Sequence, residues 1–361
     1  MNARIARNRC HLRDLFAGPF PGHALTLKLG GPDHGGRGDF LCSDRPVHEW
    51  VRGYAEDYRA QLRFLDECDC DNVPYVGLNT NTGLFAAAFG CPVHVYEGRQ
   101  TNAAARPIVN SPEEADRLPQ PTLDAPTLSR VLELARLLRR ELGPEAPIGV
   151  PDIQSPFDIA AIVWNKEDLF PSLIEAPEAV EGLVHKCFRL LTDFLQTFRR
   201  EIGEVNFCHC PYAWAPPELG CWLSEDEAGS MNVGMFERFC LPTLNALSDT
   251  FGGLFMHCCA TADHQYGSFG KIRNLRGLNR VFQKPGAKPA IDAFSGRTVL
   301  VQAWMDEAAL NALLEMAHPD TRFLFNLSVE KPEQAVPLVE RLRKRCPRQA
   351  ANAPREKAVA G

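Results

Sequence analysis

Gly252-Gly253-Leu254-Phe255-Met256-His257-Cys258-Cys259-Ala260-Thr261-Ala262-Asp263-His264 is the stretch on which the fold and the chemistry of this chain turn. An apolar run, 254–256, reads as a short buried strand that ends on His257, Cys258 and Cys259, with a helix start just beyond. Side chains two apart on a strand point the same way. His257 and Cys259 therefore face one side together, as two ligands of a soft metal ion would. A buried histidine beside two core cysteines fits the same letters, because free cysteine is among the most buried residue types.

The same unit recurs on both sides of this stretch. Downstream, strands are expected at 275–282, 298–304 and 321–327, with helices at 306–317 and 331–344. Upstream, helix 127–142 leads to strand 147–153, helices 157–163, 167–174 and 177–200 lead to strand 204–210, and helix 233–250 leads to the opening strand. A polar loop, 211–230, carries Trp214 and Trp222, which either line a pocket for a flat ligand or cover the mouth of the fold. Nearer the N-terminus, 24–29 and 72–78 read as strands, Trp50, Tyr54, Tyr58, Leu62 and Leu65 mark a helix by their spacing, and 79–83 is a polar turn before helix 84–89. About eight strands alternating with helices predict an α/β fold of the closed (β/α)8 TIM-barrel type. The expected organisation is one domain: an N-terminal extension over 1–45 holding the first strand, a barrel over 46–346, and a disordered tail over 347–361.

Barrel enzymes carry their chemistry where strands end. Here those ends are polar: Asn79, Asp152, Cys210, Cys259, Gln302 and Asn326. Asp152 reads as a base or as a loop hydrogen bond, and Asp263 and His264 as supports for His257 or as helix caps.

Composition narrows the function. The chain has 361 residues, 45% hydrophobic and 23% charged, which places it among globular proteins rather than disordered or fibrous ones. A net charge of -6 with dispersed Lys and Arg gives no footprint for nucleic acid. The longest apolar runs fall far short of the ~20 residues a membrane span needs. Arg4, Arg7, Arg9 and Arg13 interrupt the N-terminus where a secretory signal would have an apolar core, so a cytoplasmic location is expected. Thirteen cysteines without a disulfide-framework spacing read as thiols, ligands or core filler.

Several stretches resemble the uroporphyrinogen decarboxylase superfamily and fall in its order: Ala87-Ala88-Phe89-Gly90-Cys91-Pro92-Val93, Ser155-Pro156-Phe157-Asp158-Ile159-Ala160, Ala176-Pro177-Glu178, Met235-Phe236-Glu237-Arg238-Phe239-Cys240-Leu241-Pro242 and Lys331-Pro332-Glu333. The resemblance spans roughly residues 50–345 and itself implies a barrel. It also implies one of two activities, the cofactor-free decarboxylation of a porphyrinogen or a zinc-dependent methyl transfer between a corrinoid and a thiol.

For decarboxylation, the family's arginine-bearing N-terminal motif has no counterpart in residues 1–45, and matching of flanking motifs puts the family's central Asp at Asn81, its Tyr at Ile162, its Ser at Asp226 and its late His at Leu324. Asn81 and Asp226 are then the pocket residues. For methyl transfer, His257-Cys258-Cys259 matches the family's His-x-Cys, while its later Cys falls on Phe325. A zinc site of His257 and Cys259, completed by Cys210 or by Asp226, is the expectation of the methyltransferase branch, with a small-molecule thiol as substrate and a corrinoid protein as the partner. An inactive binding homologue is the remaining alternative.

Overall fold

The computed structural model describes residues 3–18, 22–29, 40–78, 80–94, 104–282 and 284–348. Asn79 and residues 349–361 of the expected tail lie outside them. The strands are β1 (Ala24–Leu29), β2 (Val93–His94), β3 (Ala104–Ala105), β4 (Ile148–Gly149), β5 (Val205–Asn206), β6 (Cys221–Ser224), β7 (Leu254–Cys258), β8 (Leu275–Arg280), β9 (Val299–Ala303) and β10 (Phe323–Val329).

Six of them form one parallel sheet in the order β1-β10-β9-β8-β7-β6. The other side of the barrel is held by shorter links. Asp71 N–H donates to the Leu25 carbonyl, Val76 bridges to Ile148, β4 pairs with β5, and Gln154 bridges to Ser224 of β6. Backbone hydrogen bonds thus lead from β6 around the sheet to β1, across 71–76 and β4, and back to β6. That circuit is a (β/α)8-type barrel. β2 and β3 make a separate small antiparallel pair.

Two expectations are corrected. The region 211–230 is not a loop throughout, because Cys221–Ser224 is a fully buried barrel strand. The strand expected at 204–210 pairs only over Val205–Asn206, so β5 and β6 share the fourth position of the barrel, β5 beside the start of β4 and β6 beside residues 153–155. The arginine-rich N-terminus is a helix, Ala3–Ala17, with Ile5, Leu12, Leu15 and Phe16 buried. It closes the end at which the strands begin: Phe16 meets Phe255 edge-on at 5.0 Å, and Phe255 stacks on Trp222 at 5.3 Å.

The helices begin where the chain supplies acceptors for their free N–H groups. Ser111, Ser155, Asn165, Asn232 and Asp306 each accept from a backbone N–H in the first turn that follows. The helix Pro177–Ile202 buries Val180, Leu183, Val184, Cys187, Leu190, Leu191 and Phe194, the three-and-four spacing of a single apolar face. Among the described residues no helix is long and apolar enough to cross a membrane.

Candidate metal centre

β7 delivers His257 to the C-terminal mouth, as its alternation requires, and the ring is only 6% exposed. Its orientation follows from β8. The Asn279 Nδ2 donates to the Val301 carbonyl at 2.7 Å, which turns Oδ1 of the same amide toward His257 Nδ1, 2.5 Å away. A carbonyl oxygen only accepts, so Nδ1 carries the proton and Nε2 keeps its lone pair. A histidine held this way is prepared to ligate through Nε2.

Nε2 looks toward Asp226, whose Oδ1 lies 3.9 Å away and also accepts from the Cys259 N–H at 2.6 Å. Asp226, His257 and Cys259 each bring one donor atom, and these atoms all lie within 4.8 Å of one another. The loops holding them are braced from behind. Asp158, in the first turn of the helix Pro156–Val163, accepts from the N–H groups of Asp226 and Glu227 at 2.7 and 3.0 Å. The Arg280 guanidinium donates to the carbonyls of Cys258 and Ala260 at 2.5 and 2.7 Å, which fixes the strand end bearing Cys259.

The electrostatics favour a cation. Burial, then Glu225 and Asp226, holds the Asp158 carboxyl well above its usual range. Glu225 is pushed up to about 8, chiefly by burial, and Asp152 to about 6 by burial with a further contribution from Asp226. The Cys259 thiol is pushed up to about 12 by burial and by Asp226. Acidic groups drawn this close oppose one another's ionisation until a positive charge joins them.

Cys210 is near but differently placed. Its Sγ lies 3.6 Å from His257 Nδ1, the nitrogen that Asn279 holds, and not with the three grouped donor atoms. Asn81 is buried, and its side-chain carbonyl accepts from the Gly83 N–H at 2.9 Å in a local turn. Phe325 and Leu324 are fully buried on β10, and Asn326 beside them faces the mouth, where it donates to Thr26 Oγ1 and to the Tyr212 carbonyl. By alternation Phe325 points out of the barrel, so the position matched to the family's later cysteine does not look into the site. His264 is tied to the Met231 carbonyl at 2.8 Å, away from His257.

A cavity of about 230 Å³ opens beside this group, lined among others by Asp152, His209, Cys210, Trp304 and Asn326. The His209 side chain is 5% exposed, with Nε2 3.2 Å from Ser224 Oγ and 3.9 Å from Asp152 Oδ1. Burial, aided by nearby His257, lowers its pKa to about 3 and keeps it neutral. Trp304 ends β9 in the left-handed region, φ 56°, and sets its ring edge-on to His257 at 6.0 Å. A bulky residue there is strained, a feature concentrated at functional sites. Neither Asn279 nor Trp304 stands out in the sequence: a lone amide or indole within an apolar strand carries no spacing signal.

A family model described as uroporphyrinogen decarboxylase matches residues 59–206. Among solved structures, the methyltransferase from Methanosarcina mazei is similar with a TM-score of 0.63 and 15% identity, covering 92% of this chain and 97% of that one. The apo homocysteine methyltransferase MmuM of Escherichia coli aligns at 12% identity over 65% of this chain and 95% of its own, and its TM-score of 0.24 gives it no weight. No curated protein matches the chain. At these identities the structural likeness speaks for the fold alone, and over residues 59–206 the chain is similar to the uroporphyrinogen decarboxylase family.

Proposed function

We propose that this protein is a zinc-dependent methyltransferase of the superfamily, moving a methyl group from a corrinoid or another methyl donor to the thiol of a small molecule. The observation that carries the reading is the grouping of a carboxylate oxygen, an imidazole nitrogen and a thiol sulfur within 4.8 Å at the strand ends of the barrel. Oxygen, nitrogen and sulfur donors suit zinc, and three protein ligands leave a fourth position for a substrate, the pattern of catalytic rather than structural sites. Asp226, His257 and Cys259 would hold the ion. The chemistry zinc supplies when bound there is a lowered pKa for a substrate thiol, which makes the sulfur a nucleophile at neutral pH.

The chain's own residues do the positioning. Asn279 reserves Nε2 of His257 as a lone pair, Asp226 ties its carboxylate to the Cys259 backbone, and Arg280 immobilises the carbonyls on either side of Cys259. Trp304 and neutral His209 line the mouth and limit water beside the reacting sulfur. Of the two residues expected to complete the ligand set, the geometry favours Asp226 over Cys210. A corrinoid protein as methyl donor remains part of the proposal.

Elemental mass spectrometry of the purified chain tests it, with His257→Ala and Cys259→Ala alongside. About one zinc per chain, lost in both variants, is the expected result. Thiol methylation from a methyl-corrinoid should then follow zinc content. A folded chain that takes up no added zinc would sink the reading and leave decarboxylation of a tetrapyrrole or another carboxylate as the next reaction to assay.

A further inference from the structure

A second cavity, of about 170 Å³, lies outside the metal group, between β1, residues 72–77 and the helix His48–Glu67. Its walls include Leu27, Tyr54, Phe64, Tyr75, Tyr212 and Trp214. It exists because the barrel wall is split there. Below it Asp71 N–H still donates to the Leu25 carbonyl at 2.7 Å while the Asp71 carboxylate accepts from the Leu25 N–H, and at Leu27 the pairing passes to side chains altogether. The Asn72 amide donates to the Leu27 carbonyl at 2.7 Å and accepts from its N–H at 2.8 Å. The Gln61 amide, from the helix, does the same for Tyr75, at 2.9 and 3.2 Å.

Two side-chain amides therefore satisfy the backbone groups that adjoining strands would otherwise satisfy for each other. The split leaves these groups hydrogen-bonded, so nothing polar at Leu27 or Tyr75 drives it shut. It also adjoins the cavity that opens beside the metal group. Lys28, Tyr75, Gly77 and Tyr212 line both cavities, and the stacked rings of Tyr75 and Tyr212, 6.2 Å apart, stand between them. Trp214 adds a buried indole N–H with no acceptor among the described residues.

We propose that this cavity seats an apolar arm of the substrate, a benzene-sized ring or a short alkyl chain, while the thiol head reaches the group of Asp226, His257 and Cys259. Only the placing of the head rests on the function proposed above. The volume is right for such an arm, since an apolar cavity of about 150 Å³ is enough to take up benzene. The substrate class is then an elongated thiol with an apolar tail, not a compact polar one.

A homologous series of n-alkanols from ethanol to hexanol, titrated into the full chain by calorimetry, tests the seat without needing the metal. Affinity should rise about fourfold per methylene, as it does when an alkyl chain leaves water. Ala60 is exposed on the helix at the cavity's rim, so Ala60→Trp narrows the cavity without touching the core and should flatten the series while zinc content stays unchanged. No length dependence in the parent chain, or the same slope in Ala60→Trp, would overturn the inference even if zinc binds. With zinc bound, hexane-1-thiol should bind more tightly than hexan-1-ol; equal affinities would separate the seat from the metal and overturn the link between arm and head. A length dependence in a chain that takes up no zinc sinks the metal reading alone and leaves the apolar seat standing.

Discussion

The two sides of this barrel are built by different means. From β6 through β10 to β1 the backbone pairs with itself in a continuous parallel ladder, and the ladder sets His257 and Asn279 opposite each other by register. Across residues 71–78, 148–155 and 204–215 the ladder is interrupted, and the half-buried amides of Asn72 and Gln61 and the buried amide of Asn206 hold the backbone instead. The laddered side shares its load among many equivalent bonds. On the other side the load falls on a few side chains, which is what allows a split in the wall and a loop folded toward the mouth. Single substitutions should therefore act very differently on the two sides.

Asn206 should show the largest effect. Its amide donates to the carbonyls of Cys208 and Ala213 and accepts from the N–H groups of Cys208 and Ala215, all in a buried setting. Asn206→Ala leaves those backbone groups without partners, and a buried polar group left unpaired costs about 1–3 kcal/mol. Not all four can be re-solvated, so a loss of about 4 kcal/mol is expected in urea unfolding. A loss below about 1 kcal/mol would show that the amide is not what holds the turn after β5.

On the laddered side the corresponding liability is one of pH. His23, just before β1, accepts the Phe323 N–H on Nδ1 at 3.2 Å, and burial lowers its pKa from 6.5 to about 4. The unfolded chain then binds the proton more readily than the folded one. Stability is full above pH 6.5 and falls as the pH drops from there toward 4, by up to about 3 kcal/mol. His23→Asn keeps an acceptor for Phe323 and removes the titration, so its stability should vary less over that window. An unchanged acid limb would place the proton uptake elsewhere.

The same division governs what can be read from the letters. Buried parallel strands between helices announce themselves, and the spans expected around Leu254, Leu275, Val299 and Phe323 lie within a few residues of β7 to β10. The interrupted side is harder to read because its structure depends on tertiary partners. Cys221-Trp222-Leu223-Ser224 is too short, and too closely set among Gly220 and acidic residues, to look like a strand until β7 lies beside it. Residues 204–210 look like a full strand because nothing local shows that Asn206 turns the chain away. In the candidate site, the i, i+2 spacing of His257 and Cys259 is visible in the sequence. Asp226 is one of two candidates to complete the set, but what groups it rather than Cys210 with them is the register of β6 with β7, and the role of Asn279 depends on that of β7 with β8, which no motif encodes.

One substitution made on both sides gives the finest test. A Cβ at Gly277, on β8, would come within 2.9 Å of the Phe255 ring and 3.1 Å of Phe16, both buried in the plug at the strand-start end. Neither ring has free space, so Gly277→Ala should cost about 2 kcal/mol through overpacking. A Cβ at Gly77, beside the split, would come within 2.8 Å of the Tyr212 ring, as tight on paper. Tyr212, however, is 36% exposed on the loop side and can give way. Alanine also restricts the unfolded chain, which offsets what strain is left, so Gly77→Ala should stay within about 0.5 kcal/mol of the parent in urea unfolding. Its effect should appear in the cavities instead: moving Tyr212 changes a wall that both share, and hexanol affinity should shift several-fold with zinc content unchanged. Equal losses of stability for the two alanines would mean that Tyr212 is as firmly packed as Phe255, and that the split side is no softer than the ladder.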